Sequence, residues 1–127
     1  MKDDRTTPSP TPFQVVEEDR DGVRIVTIDG ELDLSTAPQL EQKLEGDGEA
    51  RLLIDLSGCE FIDSTGIGLI VRTWQRLDAS RGDDAPSRFA LCGLSDQVRR
   101  LLHITGLESS IDTYRGRDEA LQGLNYT

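Results

Sequence analysis

The sequence has few aromatic residues, a single histidine and no long apolar run. Its 127 residues include one Trp, two Tyr and three Phe, so the core must consist mainly of Leu, Ile and Val. No stretch approaches the ~20 apolar residues that a membrane-spanning helix needs. Residues 1–5 lack the apolar segment of a signal peptide. We therefore expect a soluble, cytoplasmic protein.

Basic residues are also scarce relative to acidic ones. Lys and Arg total 14 against 24 Asp and Glu, which gives a formal net charge of −10. Nucleic acids and anionic membranes are bound through basic surfaces, so we expect no nucleic-acid partner and no direct membrane binding. Cys59 and Cys92 lack CxxC spacing, and each follows a strand-like segment. This predicts buried packing residues rather than redox or metal ligands.

The order of strand and helix patterns predicts an α/β domain. Residues 1–12, rich in proline, threonine and serine, are predicted to be a disordered tail, and residues 125–127 a short C-terminal tail. Between them, residues 13–124 alternate strand-like and helix-like patterns after an opening hairpin, which is typical of helices packed on a mixed β-sheet. We predict a single domain with about five strands and about four helices.

Local patterns predict a hairpin, a helix start and a central strand. Strands over residues 13–17 and 23–29 should form an antiparallel hairpin around residues 18–22. Thr36 and Gln39 fit a capping box at the start of a helix. The nearly all-apolar run over residues 52–56 predicts a central strand covered on both faces.

The central strand leads into the segment Phe61-Ile62-Asp63-Ser64-Thr65-Gly66-Ile67-Gly68, where an amphipathic helix begins. Ser64 and Thr65 lie at the helix start, where free backbone N–H groups and the helix dipole favour a phosphate. Gly66 and Gly68 carry no Cβ and permit close approach of another molecule. In open α/β sheets this edge commonly binds ligands or partners. Two interpretations remain open for Ser64: a phosphorylated residue, or simply the helix N-cap.

Enzymatic functions are poorly supported by the same segment. A nucleophilic Ser64 would need a base, and the only histidine, His103, lies in an apolar helix pattern where a structural role is expected. The segment also lacks the Gly-x-Ser-x-Gly elbow of hydrolases. Gly66-Ile67-Gly68 lacks the third glycine of a dinucleotide-binding fingerprint, because Val71 occupies that position. We expect no catalytic residue and no cofactor.

Three acidic side chains lie close together in the sequence at Asp29, Glu31 and Asp33. Carboxylate oxygens bind hard cations such as Ca²⁺, but a dedicated site needs about six to eight oxygen ligands. No such set is evident, so we expect these residues to be solvated and predict no metal.

Several segments resemble the STAS domain, and in particular the bacterial anti-sigma factor antagonists. The main ones are Gly30-Glu31-Leu32-Asp33, Leu53-Ile54-Asp55-Leu56 and Phe61-Ile62-Asp63-Ser64-Thr65-Gly66-Ile67-Gly68. Residues 98–102 and 105–107 are similar to the third helix of that family and the turn after it. The resemblance therefore spans about residues 13–124, and the family fold agrees with the pattern-based prediction.

The resemblance implies a partner-switching regulator rather than an enzyme. In that family, the unphosphorylated antagonist binds an anti-sigma factor that is also a serine kinase, and so frees a sigma factor. The kinase then phosphorylates the serine after the motif's aspartate, here Ser64 and less readily Thr65, and a Ser/Thr phosphatase resets the switch. By position in the motif, the partner-binding residues are Asp33, Asp63, Ser64, Thr65, Gly66 and Gly68.

Members of the family also have other roles, which remain open for this chain. STAS domains serve as structural subunits of stress-signalling scaffolds and as accessory subunits of lipid or anion transporters. The lack of a membrane segment argues against a fused transporter but not against a separate subunit. The identity of the binding partner distinguishes these roles from that of an anti-sigma factor antagonist.

Overall fold

The computed structural model of the chain describes residues 12–45, 51–78 and 86–125. These residues form five strands and four helices. In chain order they are β1 (Gln14–Arg20), β2 (Val23–Asp29), α1 (Ala37–Leu44), β3 (Arg51–Gly58), α2 (Ser64–Asp78), β4 (Phe89–Cys92), α3 (Asp96–Thr105), β5 (Asp112–Tyr114) and α4 (Arg117–Asn125). Of the two predicted tails, only residues 12 and 125 are among the described residues.

The five strands form one mixed sheet in the order β1-β2-β3-β4-β5. β1 is antiparallel to β2, and the remaining neighbours are parallel. β3 lies in the centre, and its residues 52–56 are all buried because helices cover both faces of the sheet. The predicted α/β class, mixed sheet and central strand are therefore confirmed.

The opening hairpin is tighter than predicted. Its strands pair without interruption as far as Arg20 opposite Val23, so β1 extends through residues predicted as a loop. Only Asp21 and Gly22 form the turn, with φ angles of 55° and 80°. An Asp-Gly pair in the left-handed region is typical of two-residue hairpin turns, whose twist matches that of the strands. The mostly polar side chains of β1 suit an exposed edge strand.

Helices cover the sheet in two layers of unequal size. Alternate residues of β3 point to opposite faces of the sheet. Leu52, Ile54 and Leu56 pack with buried residues of α1, α2 and α3 in the larger core, whereas Leu53 packs with α4 in the smaller one. Within the described segments, no helix is long and apolar enough to cross a membrane.

Both cysteines are buried. Cys59 lies in the larger core and Cys92 in the smaller one. Burial raises the pKa of both thiols, that of Cys92 to about 12. Neither side chain therefore forms an appreciable amount of thiolate near neutral pH. The predicted packing role agrees with this environment.

The smaller core is closed by α4, which an ion pair holds to the sheet. Arg117 Nη2 donates to Asp55 Oδ2 at 2.9 Å and to Thr27 Oγ1 at 2.9 Å. Burial alone would raise the pKa of Asp55, but hydrogen bonds from Ser57 and Arg117 outweigh it and keep the pKa below the usual 3.8. The carboxylate is therefore ionised at neutral pH and ties the start of α4 to the central strand.

Candidate functional site

The candidate site lies where β2 and β3 end and the loops that follow them run side by side. Leu32 and Ile62 form an isolated parallel bridge beyond the strands. Leu32 N donates to Phe61 O at 3.0 Å, and Asp63 N donates to Leu32 O at 3.1 Å. Both side chains of the bridge are fully buried, which anchors the two loops in the core. This pairing brings Asp33 and Asp63 to the same edge of the sheet.

Asp63 is the N-cap of α2. Its Oδ1 accepts a hydrogen bond from Gly66 N at 2.9 Å, which is the bond that an N-cap side chain makes to the third residue of a helix. Its Oδ2 accepts from Leu34 N at 3.1 Å and joins the helix start to the neighbouring loop. The interpretation of Ser64 as the N-cap is therefore wrong, because Ser64 is the first residue of the helix itself.

Asp33 closes the turn that leads into α1, whose N-cap residue is Thr36. Its Oδ1 accepts from Ser35 N at 3.0 Å and from Thr36 N at 3.1 Å, while Thr36 Oγ1 accepts from Asp33 N at 2.9 Å. The reciprocal bonds between Asp33 and Thr36 resemble those of a capping box, one turn earlier in the chain. The predicted helix start at Thr36 is confirmed, but Thr36 makes no side-chain cap bond, so the predicted box with Gln39 is wrong. Hydrogen bonds from Ser35 and Thr36 lower the pKa of Asp33, which is ionised at neutral pH.

Ser64 presents a hydroxyl that is open to modification. The residue is exposed, and its hydroxyl has no hydrogen-bond partner among the described residues. Thr65 is only partly exposed, so Ser64 is the more accessible of the two. The backbone N–H of Gly66 is occupied by Asp63, but those of Ser64 and Thr65 have no acceptor within the described part of the chain. Free donors at a helix start favour a negatively charged group on Ser64.

The two glycines of the motif have different surroundings. A Cβ on Gly66 would lie 2.7 Å from Ile62 Cγ2 and 2.9 Å from Leu32 O, so the packing of α2 against the loop requires glycine here. Gly66 is buried rather than at the surface where partner contact was expected. A Cβ on Gly68 would meet only Arg72 Nη1, at 3.4 Å, and Gly68 is partly exposed. Gly68 therefore leaves a shallow depression on the surface of α2.

Two exposed apolar side chains flank the aspartates. Leu34 is 73% exposed and Phe61 is 41% exposed. The hydrogen bond from Leu34 N to Asp63 fixes the leucine beside the start of α2. Apolar side chains bordered by charged residues suit contact with another protein. Sequence analysis missed Leu34, because neither helix nor strand periodicity applies to a residue in a short turn.

Side chains from the start of α3 fix the loop that precedes Ser64. Gln97 Oε1 accepts from Ile62 N and Gln97 Nε2 donates to Ile62 O, both at 3.0 Å. Ser95 Oγ donates to Glu60 O at 3.0 Å in the same loop. The partners are 35 positions apart, so no local pattern could have indicated them. These bonds satisfy backbone groups of the loop and hold the candidate site in one conformation.

The side chains that could act as a base toward Ser64 already form other interactions. His103 lies in the last turn of α3, is mostly exposed and pairs with Glu108. Both carboxylate oxygens of Asp63 accept backbone hydrogen bonds. Within residues 12–45, 51–78 and 86–125, no group of three or more His, Cys, Asp or Glu side chains is placed to hold a metal ion. The arrangement suits a hydroxyl that another protein modifies.

Comparison with known proteins agrees with this geometry. The family model of the STAS domain matches residues 14–120. The anti-sigma-F factor antagonist RsfB of Mycobacterium tuberculosis is 29% identical over 119 residues, which cover 91% of this chain and 93% of that protein. The anti-sigma-B factor antagonist of Staphylococcus aureus is 33% identical over 96 residues, which cover 73% of this chain and 84% of that protein.

A solved structure has the same fold. The crystal structure of an anti-sigma factor antagonist from Mycobacterium paratuberculosis matches with a TM-score of 0.77 at 33% identity, over 89% of this chain and 94% of that one. This chain belongs to the STAS domain family. These three relatives are anti-sigma factor antagonists, so the resemblance seen in the sequence motifs is confirmed.

Proposed function

We propose that this protein is an anti-sigma factor antagonist whose partner binding is controlled by phosphorylation of Ser64. Relatives that cover most of the chain are anti-sigma factor antagonists. The observation that carries the proposal is the state of Ser64, an exposed hydroxyl with no hydrogen-bond partner among the described residues. The neighbouring carboxylates, by contrast, are held by backbone N–H groups. Such a hydroxyl can be modified without disturbing the fold.

The protein would act as the substrate of a serine kinase and not as an enzyme. In that reaction Ser64 Oγ forms a bond to the γ-phosphorus of ATP, the bond from that phosphorus to the β-phosphate oxygen breaks, and ADP leaves. The hydroxyl proton must pass to a base of the kinase, because both oxygens of Asp63 already accept backbone hydrogen bonds. A Ser/Thr phosphatase would hydrolyse the phosphoserine and restore partner binding.

Phosphorylation would change the surface far more than the fold. A phosphoserine carries about −1.5 to −2 charges at neutral pH. The first residue of a helix is a favourable place for negative charge, so α2 can keep its structure. The new charge lies at the same edge as Asp33 and Asp63 and would repel acidic groups of an approaching partner. We therefore expect the phosphorylated protein to stay folded and to lose its partner.

The proposed partner surface differs in part from the family motif. It consists of Asp33, Asp63, Ser64, Thr65 and Gly68 together with the exposed Leu34 and Phe61. Gly66 is excluded because it is buried under the loop. The exposed Leu34 and Phe61 suit an anti-sigma factor that packs apolar side chains there and places an acidic group near the Ser64 hydroxyl, which a phosphate on Ser64 would repel. Such a function belongs in the cytoplasm, where sigma factors act.

Affinity capture from the cells that produce the protein tests this function. We expect the wild type and Ser64→Ala to capture an anti-sigma factor that carries an ATP-binding kinase domain, identified by mass spectrometry. Ser64→Asp should bind that factor about tenfold or more weakly, which corresponds to at least ~1.4 kcal/mol. Its melting temperature should stay close to that of the wild type, because the Ser64 hydroxyl has no hydrogen-bond partner to lose among the described residues.

Addition of ATP and Mg²⁺ to the captured complex provides the second part of the test. The wild type should be released with a single phosphate on Ser64, and Ser64→Ala should stay bound. Thr65→Ala is the matched control and should behave as the wild type. Equal capture by Ser64→Asp, or phosphate incorporation that persists in Ser64→Ala, would contradict the phosphorylation switch. Capture of a transporter or a signalling scaffold in place of an anti-sigma factor would contradict the antagonist function.

A further inference from the structure

The guanidinium group of Arg72 lies over Gly68 on the exposed side of α2. Arg72 Nη1 is 3.4 Å from the position that a Cβ of Gly68 would occupy, and apart from the adjacent residues and the helix backbone no other atom of the described residues lies within 4 Å of that position. Arg72 is exposed. It has no hydrogen bond or ion pair with any other residue that the structure describes. A cationic group is thus placed on the helix surface with no structural partner in this part of the chain.

Ser64, Gly68 and Arg72 follow one another at intervals of four residues along α2. Residues at this spacing lie on the same face of a helix, with Cβ positions about 5–6 Å apart. Long side chains of helices point back toward the N-terminus, and Arg72 does so here. Its guanidinium therefore covers one of the two turns that separate it from Ser64. Gly68 itself adds no side chain between Arg72 and Ser64.

We infer that Arg72 binds the phosphoryl group of phosphorylated Ser64 and draws it over Gly68. This inference rests on the proposed function, since it concerns Ser64 only in its phosphorylated form. A phosphoserine offers three strong acceptor oxygens, and the planar fork of arginine donors matches them.

Other charged groups near Arg72 do not compete in this structure. Glu41 and Glu45 of the α1 region line a groove between α1 and α2 together with Arg72 and Arg76. Arg76 Nη2 donates to Leu44 O at 3.0 Å and so has a structural role at the end of α1. Arg72 forms no ion pair with Glu41 or Glu45, both of which the structure describes. Among the described residues that line this groove, Arg72 is therefore a cation that is available to a phosphate on Ser64.

The pairing would add a steric component to the switch. In the unmodified protein, Gly68 has no side chain and the flexible end of Arg72 lies over it, so a partner that displaces that end can approach the backbone of α2 closely. A phosphoryl group held over Gly68 by Arg72 would occupy the space that the partner needs. Phosphorylation would then exclude the partner by volume as well as by charge, and at a position defined by Arg72.

The test uses the full chain with phosphoserine encoded at position 64, so that no kinase is needed. The titration of the phosphate is followed by ³¹P NMR in the wild type, in Arg72→Gln and in the matched control Arg76→Gln. The midpoint of phosphate ionisation should rise in Arg72→Gln by about 0.2–0.7 pH unit, the shift expected from one exposed ion pair. Arg76→Gln should titrate as the wild type does. The difference should nearly vanish in about 1 M salt.

A second measurement observes the arginine directly. The Nε–H resonance of Arg72 should move as the phosphate ionises, and that of Arg76 should not. Equal midpoints for the wild type and Arg72→Gln, or an unmoved Arg72 resonance, would overturn the inference. Arg72 is exposed, so its glutamine variant should fold normally. Because the phosphoserine is built in, this result is independent of whether the capture experiment identifies an anti-sigma factor.

Discussion

Replacing Gly68 with alanine should stabilise the protein while weakening its complex with the anti-sigma factor. Gly68 lies inside α2, where alanine is favoured over glycine by about 1 kcal/mol. The added Cβ meets only Arg72 Nη1 at 3.4 Å, which is the end of a flexible side chain. For 127 residues, an unfolding entropy of about 2.1 cal/mol/K per residue totals roughly 0.27 kcal/mol/K. The melting temperature should therefore rise by about 4 °C.

Gly66→Ala is the matched control, because it adds the same methyl group to the same helix. Here the Cβ would lie 2.7 Å from Ile62 Cγ2 and 2.9 Å from Leu32 O, and the second of these is a backbone atom that cannot shift alone. Overpacking of this kind costs about 1–3 kcal/mol. The melting temperature should fall by about 4 °C or more. Thermal unfolding followed by circular dichroism, with urea unfolding as a second probe, measures both variants.

Binding separates the two roles assigned to these glycines. If a partner approaches α2 closely at Gly68, a methyl group there should weaken binding about tenfold, which calorimetric titration with the captured anti-sigma factor measures. A Gly68→Ala variant that melts below the wild type would refute the packing argument. A Gly68→Ala variant with a higher melting temperature than the wild type but an unchanged binding affinity would refute the role of Gly68 as a contact point.

Three other side chains lead to predictions that the same assays can check. Leu34→Asp should weaken anti-sigma factor binding about tenfold or more, with little change in melting temperature. Ile104 is 71% exposed at the far end of α3, so Ile104→Asp is the control and should change neither the binding affinity nor the melting temperature. Asp63→Ala should lower the free energy of unfolding by about 1–2 kcal/mol, because the N-cap hydrogen bond is lost. Asp63→Asn should lower it by less, because asparagine keeps an acceptor oxygen. Equal losses of the two variants in urea unfolding would contradict the capping role. Because hydrogen bonding keeps the pKa of Asp55 below its unfolded value, its stabilising effect is complete above about pH 5 and is lost as the pH falls through the folded pKa. Stability should therefore fall less between about pH 5 and pH 3 in Asp55→Asn than in the wild type, and parallel pH curves would count against the ion pair with Arg117.

The central part of the fold was predictable because its signals are local and strong. Residues 52–56 show no alternation of apolar and polar side chains, and only a strand covered on both faces can bury such a run. The hairpin was predicted with the wrong turn because β1 is an exposed edge strand. Its polar residues 18–20 resemble a loop in sequence, although their backbones pair fully with β2. The Asp21-Gly22 pair was the better guide to the turn.

The start of α2 was harder to predict than that of α1, where Thr36 is the N-cap as expected. At α2 two adjacent residues, Asp63 and Ser64, are equally good caps. The choice is made by the bridge between Leu32 and Ile62, which fixes where each loop leaves the sheet edge. That bridge joins residues that are distant in sequence, so local propensity cannot identify the residue that becomes the cap.

The order of aspartate before serine in the motif explains how one turn can serve both structure and regulation. An N-cap serine would use its oxygen to accept a backbone hydrogen bond, and phosphorylation would disturb the cap. Here Asp63 caps α2 and also holds the neighbouring loop through Leu34 N, so the hydroxyl of the next residue is left without a structural role among the described residues. Ser64 is then exposed at a position where the helix favours negative charge. Exchanging the two residues, as in Asp63→Ser with Ser64→Asp, would keep the composition and the helix but would place the serine of the motif at the N-cap position. Such a variant should fold, and it should lose the switch at this serine, because the serine hydroxyl would be needed to cap the helix; Thr65→Ala in the same background removes the one other hydroxyl of the motif.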